Sequence, residues 1–347
     1  SSVNGMVYMR GRPSDYDKWF KEIEDQNWSW DSLLKSYTDL EGNQRLNNNF
    51  HGANGPLKVS DPMYVVKGTD LYLKTMQGLG LPYNTDFNDG KQYGVGLMQL
   101  TTYYGKRCSA VDAFIEPIRK NKNLTIKLKS IVTKIIFEKN KAIGVEVLKN
   151  GKLEKYYANN QIILTAGTYI SPKILMHSGI GDEEELKKHD IKTKVNLKGV
   201  GKNLQDHLMF RPVYKVKNLE SLNKKINSLF GNLLIGLEYI FNQSGPMTMG
   251  ASQVCGFAKS DSSRATPNLQ FHVQPISTDI LGASKLHDFH GITPTVANIR
   301  PTSRGEINIV SDDSRIYPKI KMNYLSTDDD RYVAAQGLKL VRKIMLD

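Results

Sequence analysis

The sequence predicts a mixed α/β fold for this chain of 347 residues, and three patterns indicate it. Over residues 14–40, apolar side chains recur at helical spacing, with one break. Apolar and polar residues alternate over 124–128, 131–137 and 143–148, the two-residue period of a strand with one hydrated face. The largely apolar run 161–167 ends in small residues, which is typical of a strand buried on both faces in a parallel sheet.

Capping and turn residues delimit several elements. Ser171 fits the N-cap of a helix over 171–177, with proline in its first position, and Gly179 ends this helix. Asn150 and Gly151 form a strong hairpin signal between two strands. Weaker patterns predict a strand at 57–59, a helix at 106–120, strands at 268–274, 295–299 and 306–310, and a helix at 226–241.

The composition is that of a globular protein. Hydrophobic residues make up 39% of the chain and charged residues 24%, so it is neither disordered nor fibrous. No apolar run approaches the ~18 residues that a membrane-spanning helix needs. The two cysteines, Cys108 and Cys255, could form at most one disulfide, so a disulfide-stapled scaffold is excluded.

The charge balance limits the classes of partner. The chain has 47 basic and 35 acidic residues, a net charge of +12. The basic residues are spread over many segments, and none of their clusters is interleaved with aromatic residues as in a nucleic-acid recognition helix. We therefore expect no nucleic-acid partner, whereas non-specific attraction to an anionic surface stays open.

The common catalytic motifs are absent. The sequence contains no HExxH, GxSxG, CxxC or Walker A lysine loop. His287 and His290 lie three positions apart, but no further ligand group completes a metal set, so we expect no metal. The GxG fragments at 94–96 and 199–201 lack a third glycine and a strand-to-helix turn, so neither is a dinucleotide fingerprint.

Both ends of the sequence look internal. The chain starts with serine, and its first residues include neither a charged leader nor an apolar signal core. Residues 340–347 stop within an amphipathic helical pattern that has no capping residue. We therefore expect a fragment that lacks both ends of a longer protein.

Several segments resemble one known family. Residues 1–11, SSVNGMVYMRG, resemble the first signature of the glucose–methanol–choline (GMC) flavoprotein oxidoreductases, and residues 167–181, GTYISPKILMHSGIG, satisfy every fixed position of the second. The family segments GxNLQDH, at 201–207, and SRG, at 303–305, follow in the family's order. The resemblance covers essentially the whole chain, and it is strongest to the branch that is similar to insect glucose dehydrogenase.

The resemblance implies FAD as the cofactor, held against main chain. Small side chains let the backbone approach the flavin and the pyrophosphate without a clash, and an asparagine can hydrogen-bond the flavin or ribitol. The family's FAD contacts correspond to Ser1, Asn4, Gly5, Met6, Val7, Val132, Ala166 and Gly167. Structural roles compete at three places: an Asx turn at Asn4, an ordinary strand valine at Val132 and a tight strand exit at 165–167.

Fewer residues are predicted to contact the substrate than to contact FAD. Gln270 and His272 lie on one face of the predicted strand at 268–274. The resemblance implies that this face borders the substrate cavity, although an ordinary hydrated strand face explains the pattern equally well. Asp206 and His207 look like an acid–base pair in isolation, but by resemblance they belong to a structural segment near a domain junction.

The resemblance also implies an incomplete architecture of two domains. An FAD/NAD(P)-binding, Rossmann-like domain would comprise 1–20 and 107–209. A substrate domain of antiparallel sheet and flanking helices would comprise 21–106 and 210–325, and 326–347 would begin the return to a C-terminal part. The glycine-rich unit that holds the ADP half of FAD would precede this chain, and the family's catalytic histidine would follow it, so no catalytic residue is named here.

The implied reaction is the oxidation of an alcohol, a CH–OH donor such as a sugar, by hydride transfer to flavin N5. A quinone or oxygen would then accept the electrons. Two alternatives stay open: a hydroxynitrile lyase of the same fold, in which the flavin undergoes no net redox change, and a truncated member without activity. Secretion is expected only from the family branch, since three glycosylation sequons could arise by chance.

Overall fold

The structure is a computed structural model that describes residues 4–250, 252–280 and 285–346. Its helices there are α1 (Pro13–Ile23), α2 (Trp30–Leu40), α3 (Thr69–Gly78), α4 (Ile170–His177), α5 (Glu183–Lys187), α6 (Leu222–Asn227), α7 (Leu229–Asn242) and α8 (Asp328–Leu346). Its strands are β1 (Glu41–Asn43), β2 (Leu57–Val59), β3 (Gly94–Leu97), β4 (Thr102–Tyr103), β5 (Lys106–Arg107), β6 (Ile131–Glu138), β7 (Lys141–Lys149), β8 (Lys152–Tyr157), β9 (Ile180–Gly181), β10 (Val195–Asn196), β11 (Met209–Phe210), β12 (Tyr214–Lys215), β13 (Val254–Ala258), β14 (Leu269–Gln274), β15 (Gly291–Asn298), β16 (Glu306–Asn308) and β17 (Lys319–Lys321).

The chain divides into two compact units. Unit 1 comprises Ser1–Leu124, Leu208–Arg300 and Tyr332–Asp347, and unit 2 comprises Thr125–His207 and Pro301–Arg331. These units are defined by packing alone. The division into an FAD domain and a substrate domain therefore stays a prediction.

Unit 1 is built around an antiparallel sheet. Its strand order is β11-β15-β14-β13-β3, and β12 pairs with another part of β15. One face carries the main core, in which Phe271 and Val296 pack with Met76 of α3 and Val341 of α8. Burying each such side chain contributes roughly 1.5–3 kcal/mol. The expected antiparallel sheet with flanking helices is thus confirmed.

The opposite face of this sheet carries a smaller cluster. Phe87, Met98, Cys255 and Phe257 are buried there, and the rings of Phe87 and Phe257 lie 5.4 Å apart. Val7 and Met9 pack against this cluster. The N-terminal signature segment is therefore held on this face, opposite the core that packs on α3 and α8.

Unit 2 contains the three-stranded antiparallel sheet β6-β7-β8. Asn150 and Gly151 both have positive φ, 49° and 78°, as the tight hairpin turn predicted at this point requires. Helix α4 packs on β6, and the Ser178 hydroxyl accepts a 2.8 Å hydrogen bond from the Ile135 amide. Gly179 ends α4 at φ 82°, where a Cβ would lie 2.6 Å from the Lys192 carbonyl oxygen, so the position requires glycine.

Two predicted strands are not formed. Residues 124–128 and 161–167 have no strand partner within the described ranges, and Leu128 and Ile163 are 75% and 73% exposed. The apolar patterns identified segments suited to a sheet, but a strand also needs a neighbour for its amide and carbonyl groups. No such neighbour is among the described residues, so these two predictions were wrong for this chain.

Two local helix predictions also needed correction. Residues 106–120 contain β5, a π-helical turn (Val111–Ile115) and a 3₁₀ turn (Glu116–Ile118) instead of one α-helix. Proline at position 117 lacks the amide that a continuous α-helix needs. The residue that caps α4 is Tyr169, two positions before the predicted Ser171, whose own amide already bonds to the Gly167 carbonyl.

Candidate functional site

The backbone of the first signature is fixed by hydrogen bonds within unit 1. The Met6 carbonyl accepts bonds from the Thr101 amide, at 2.7 Å, and from the Thr101 hydroxyl, at 3.2 Å. The Arg107 guanidinium donates a 2.8 Å bond to the Asn4 carbonyl. Val7 forms a bridge with Leu100, which extends the attachment by one residue. The segment is therefore held in one conformation by its neighbours.

Space is open on the solvent side of this segment. Among the described residues, no atom lies within 4 Å of where a Cβ would stand on Gly5, and both Asn4 and Gly5 are exposed. Met6 has φ 69°, a left-handed conformation that is uncommon for a residue with a side chain. Ser1, which was also predicted to contact FAD, lies outside the described residues. A flat ring could approach the main chain here without meeting side chains.

A buried ion network supports the end of the same segment. The Arg10 guanidinium bonds to a carboxylate oxygen of Glu41, and both side chains are almost fully buried. His51 lies between Glu41 and Asp86, with 2.9 Å from Nδ1 to Glu41 Oε1 and 2.9 Å from Nε2 to Asp86 Oδ2. Burial alone would lower the pKa of His51, but the bonds to Asp86 and Glu41 raise it to about 9.

Main-chain bonds complete this support. The Arg10 amide donates to Asn88 Oδ1 at 2.8 Å, and Gln92 donates to the Arg10 carbonyl at 3.0 Å. The guanidinium also donates to the Phe50 carbonyl at 2.6 Å. No motif in the sequence indicates this network, because its members are 10 to 82 positions apart and share no local pattern. The one sequence signal was a histidine and an acidic residue on either side of an asparagine-rich loop.

Gln270 and His272 face the smaller cluster. In the register of β13 and β14, His272 lies opposite Cys255 and Gln270 lies opposite Phe257, so all four side chains share one face of the sheet. The Gln270 amide nitrogen lies 3.6 Å from Cys255 Sγ, and both predicted substrate residues are half-buried. Because Val7 packs on that cluster too, unit 1 brings the first signature and this pair to one side of its sheet.

Val132 and Ala166 meet at a cavity in unit 2. This cavity has a volume of about 320 Å³ and is also lined by Lys173, His177 and Tyr317. Ligand pockets typically start at about 300 Å³. Burial lowers the pKa values of Lys173 and His177, and Lys173 Nζ lies 5.8 Å from the centre of the Tyr317 ring. Cationic and aromatic walls of this kind suit a flat group that carries nearby negative charge.

Gly167 offers a second stretch of accessible main chain, also in unit 2. It has φ 89°, it is exposed, and no atom of the part of the chain that the structure describes lies within 4 Å of its Cβ position. Ala166, beside it, is exposed as well. This arrangement agrees with a close approach by a ligand, and the competing explanation, a tight strand exit, does not apply because residues 161–167 form no strand.

Asp206 has a structural contact. Its carboxylate accepts a hydrogen bond from the Tyr324 hydroxyl at 2.5 Å. Burial and this bond raise the pKa of Tyr324 to about 12. Arg304 donates to the Asn203 side chain at 2.8 Å, so the 201–207 and 303–305 segments are tied together within unit 2. These contacts agree with the expectation that Asp206 is part of a structural segment.

The described residues fit FAD in three respects. Unit 1 presents side-chain-free main chain at Gly5, unit 2 does so at Gly167, and the cavity at Val132 and Ala166 has room for a flat heterocycle. Within the described ranges, no group of three or more His, Cys, Asp or Glu side chains could hold a metal ion. Among these residues there is also no helix that is long and apolar enough to cross a bilayer.

Comparison with known proteins identifies the class. Residues 1–209 match the family described as GMC oxidoreductase, and residues 301–346 match its C-terminal part. The chain belongs to the GMC oxidoreductase family. Members of this family are FAD-dependent, so FAD is the cofactor of the class to which this chain belongs.

Individual proteins of known sequence or structure are similar to this chain over nearly its whole length. The chain is 34% identical over 353 residues to an oxygen-dependent choline dehydrogenase of Photobacterium profundum, covering 99% of this chain and 61% of the relative. It is 33% identical over 347 residues to an alcohol dehydrogenase (acceptor) of Pseudomonas putida, covering 99% and 62%. The crystal structure of pyridoxine 4-oxidase from Mesorbium loti superposes with a TM-score of 0.84 at 27% identity, covering 99% and 63%. The chain thus spans about three fifths of these relatives, and the mixed α/β fold with an FAD-binding part is confirmed.

Proposed function

We propose that this chain forms part of an FAD-dependent oxidoreductase that oxidises the CH–OH group of a small alcohol. The observation that carries the proposal is the shared sheet face in unit 1, where the main chain at Asn4–Met6 is fixed and open and the polar pair Gln270 and His272 lies on the same side. Family membership and relatives named for alcohol oxidation support it.

Different residues of the chain would bind the cofactor and the substrate. Bound FAD supplies the hydride acceptor. Asn4, Gly5 and Met6 would hold the flavin end by main-chain contact, and the backbone of Val132 would touch the adenine. Ala166 and Gly167 would pass close to the cofactor, where small side chains are needed. Gln270 and His272 would hydrogen-bond the substrate hydroxyl and orient the carbon that carries the hydride. The apolar side chains beneath them, Cys255 and Phe257, would exclude water from that face.

The proposal also specifies which kind of alcohol is the substrate. Relatives of this chain are named for choline and for alcohols, which favours a small alcohol over a sugar. The branch similar to insect glucose dehydrogenase, which the sequence suggested, gains no support from these relatives. Oxygen or a quinone as electron acceptor agrees with relatives named as oxygen-dependent and acceptor-dependent enzymes. Secretion stays a prediction.

The deciding experiment follows the visible spectrum of the purified full chain under anaerobic conditions. A small primary alcohol or choline should bleach the flavin bands, and glucose should not. A spectrum that stays oxidised with every alcohol, although dithionite bleaches it, would favour a hydroxynitrile lyase. A chain that carries no flavin after incubation with FAD would favour the truncated, non-catalytic member.

A further inference from the structure

Arg211 follows β11 in unit 1 and lies on the same sheet face as Gln270 and His272. Strands β11 and β12 pair with β15 in one continuous register, which places Arg211 opposite Thr295. Thr295 in turn lies opposite His272 of β14. Directly opposed residues of an antiparallel sheet point their side chains to the same face. Arg211 therefore belongs to the face on which the substrate is proposed to bind.

The guanidinium of Arg211 contacts the next residue of this face on β14. Its Nη2 atom donates a 2.9 Å hydrogen bond to Oε1 of Gln274. Gln274 lies two positions after His272 on β14, so the two side chains share a face and the two residues are roughly 7 Å apart. A molecule of a few carbon atoms is therefore long enough to contact both His272 and the guanidinium.

Arg211 has an unused hydrogen-bond donor. The side chain is half-buried, and its Nε atom is buried without a hydrogen-bond partner among the described residues. Burial lowers the pKa of Arg211, and no carboxylate in the described part of the chain interacts with the guanidinium to oppose this shift. A buried N–H group without an acceptor destabilises a protein, unless an oxygen atom of a ligand accepts from it. The guanidinium thus has both a free donor and an unbalanced charge.

The charge of the surrounding sheet is positive. None of its six strands, as the structure describes them, contains an aspartate or a glutamate. Lys215 of β12 lies on the same face as Arg211, opposite Gly291 in the continuous register. Two cations without an acidic residue on the sheet attract anions to this face and repel cations from it.

We propose that Arg211 binds an oxyanion of the substrate, so that the alcohol which this protein oxidises also has a carboxylate or phosphate group. A guanidinium forms paired hydrogen bonds with either group. With the hydroxyl at Gln270 and His272 and the oxyanion at Arg211, the substrate would be held at both ends, which orients the carbon between them. The assignment depends on the proposed function, because it concerns the same substrate face.

A purely structural role is the competing explanation for Arg211. The bond to Gln274 fixes the side chain and agrees with such a role. It does not account for the buried Nε atom, which has no partner among the described residues, or for a charge without a nearby carboxylate. An oxyanion complements both features.

Pairs of substrates that differ in charge test the proposal on the purified full chain loaded with FAD. If a carboxylate is bound, 4-hydroxybutyrate should exceed 4-hydroxybutyramide in kcat/KM about tenfold or more, and if a phosphate is bound, glycerol 3-phosphate should exceed glycerol by a similar factor. Calorimetric titration of the same compounds measures binding without turnover. Choline should reduce the flavin with a lower kcat/KM than the neutral amide, because its cationic group would lie beside the guanidinium.

Variants of two residues show whether the guanidinium causes the preference. Arg211→Gln should remove the preference for the anionic member of the pair, and Arg211→Lys should keep part of it. Gln274→Glu leaves Arg211 in place but gives it a carboxylate partner, so it should also remove the preference. The matched control is Arg342→Gln, which alters an exposed arginine of α8, the helix on the opposite face of the sheet, and should behave like the wild type.

Three results would overturn the proposal. One is a wild-type protein that binds and oxidises the charged and neutral members of both pairs equally, which would leave the proposed function intact. Another is a preference that persists in both Arg211→Gln and Gln274→Glu. The third is a lower melting temperature of Arg211→Gln with an unchanged preference, which would assign Arg211 a structural role. In contrast, Arg211-dependent binding of an anionic alcohol, without flavin bleaching by any alcohol, would support the oxyanion site and contradict the proposed function.

Discussion

The Nε2 atom of His51 lies 2.9 Å from Oδ2 of Asp86, on the side of the imidazole opposite Glu41. The ring thus lies between two carboxylates, and one of these, Glu41, also binds the guanidinium of Arg10. Two buried cations and two carboxylates balance one another beneath the first signature. This balance makes the stability of unit 1 sensitive to pH.

The first prediction concerns that pH dependence. The pKa of His51 is raised from 6.5 to about 9, so its contribution to stability is complete below pH 6.5 and is lost as the pH rises through about 9. The melting temperature of the wild type should fall over this interval. The neutral variant His51→Gln should start lower and change little there. Melting curves between these pH values test this, and parallel curves for the two proteins would contradict it.

The second prediction concerns Arg10. Arg10→Met leaves Glu41 buried without its guanidinium partner, and breaking a buried pair in this way costs about 3–5 kcal/mol of unfolding free energy. Urea denaturation measures the loss. Lys35→Met is the control, because it removes an exposed pair with Asp39 and should cost less than about 1 kcal/mol. Equal losses of unfolding free energy in the two variants would show that the buried Arg10–Glu41 pair stabilises the protein no more than an exposed pair does.

The third prediction concerns the open space at Gly5. A Cβ at Gly5 would have no described atom within 4 Å, so Gly5→Leu should keep the melting temperature of the FAD-free protein but lose most of the bound flavin. The ratio of flavin to protein absorbance measures this. Gly78→Leu, at another position with no atom within 4 Å, should keep its flavin. Full flavin content in Gly5→Leu would exclude a flavin contact at this residue.

The fourth prediction concerns the polar pair on β14. If Gln270 orients the substrate hydroxyl, Gln270→Ala loses one hydrogen bond, which corresponds to about a tenfold rise in KM with little change in flavin content. His272→Ala should act in the same direction. The control His189→Ala alters a half-exposed histidine of unit 2. Unchanged KM values in both β14 variants would assign this face to ordinary hydration.

The fifth prediction separates structure from catalysis at Asp206. Tyr324→Phe removes the hydroxyl that bonds to Asp206 and should lower the free energy of unfolding by about 1 kcal/mol. Turnover and the flavin spectrum should stay at the wild-type level. A large loss of turnover in a variant of normal stability would instead indicate that Asp206 takes part in the reaction.

Elements with a strong local signal were predictable from the sequence. The hairpin at Asn150–Gly151, the end of α4 at Gly179 and the strands β6, β7 and β14 follow from turn chemistry and residue alternation. The runs 124–128 and 161–167 were misjudged, because a pattern of side chains does not reveal whether a partner strand is present. The Ser171 cap was misplaced by two residues, which is a common error because the first turn of a helix offers several candidate positions.

Residues of the candidate site were predictable from the sequence only where they belong to a recognised motif. The resemblance indicated Asn4, Gly5 and Gly167, and their main chain is accessible in the structure. The support formed by Arg10, Glu41, His51 and Asp86 had no motif, because burial and charge pairing depend on distant segments that meet only after folding. Likewise, residue alternation put Gln270 and His272 on one strand face, but the register with Cys255 and Phe257 was needed to identify which face.

The two surfaces of the sheet in unit 1 have different roles. Phe271 and Val296 anchor helices α3 and α8 on one surface, while Gln270 and His272 alternate with the anchoring residues and point the other way. Neighbouring positions along a single strand can therefore be altered for unrelated purposes. If the proposed function is right, variation of the even-numbered residues of β14 should alter the recognition of the substrate, while the odd-numbered ones, which hold the scaffold together, should be kept.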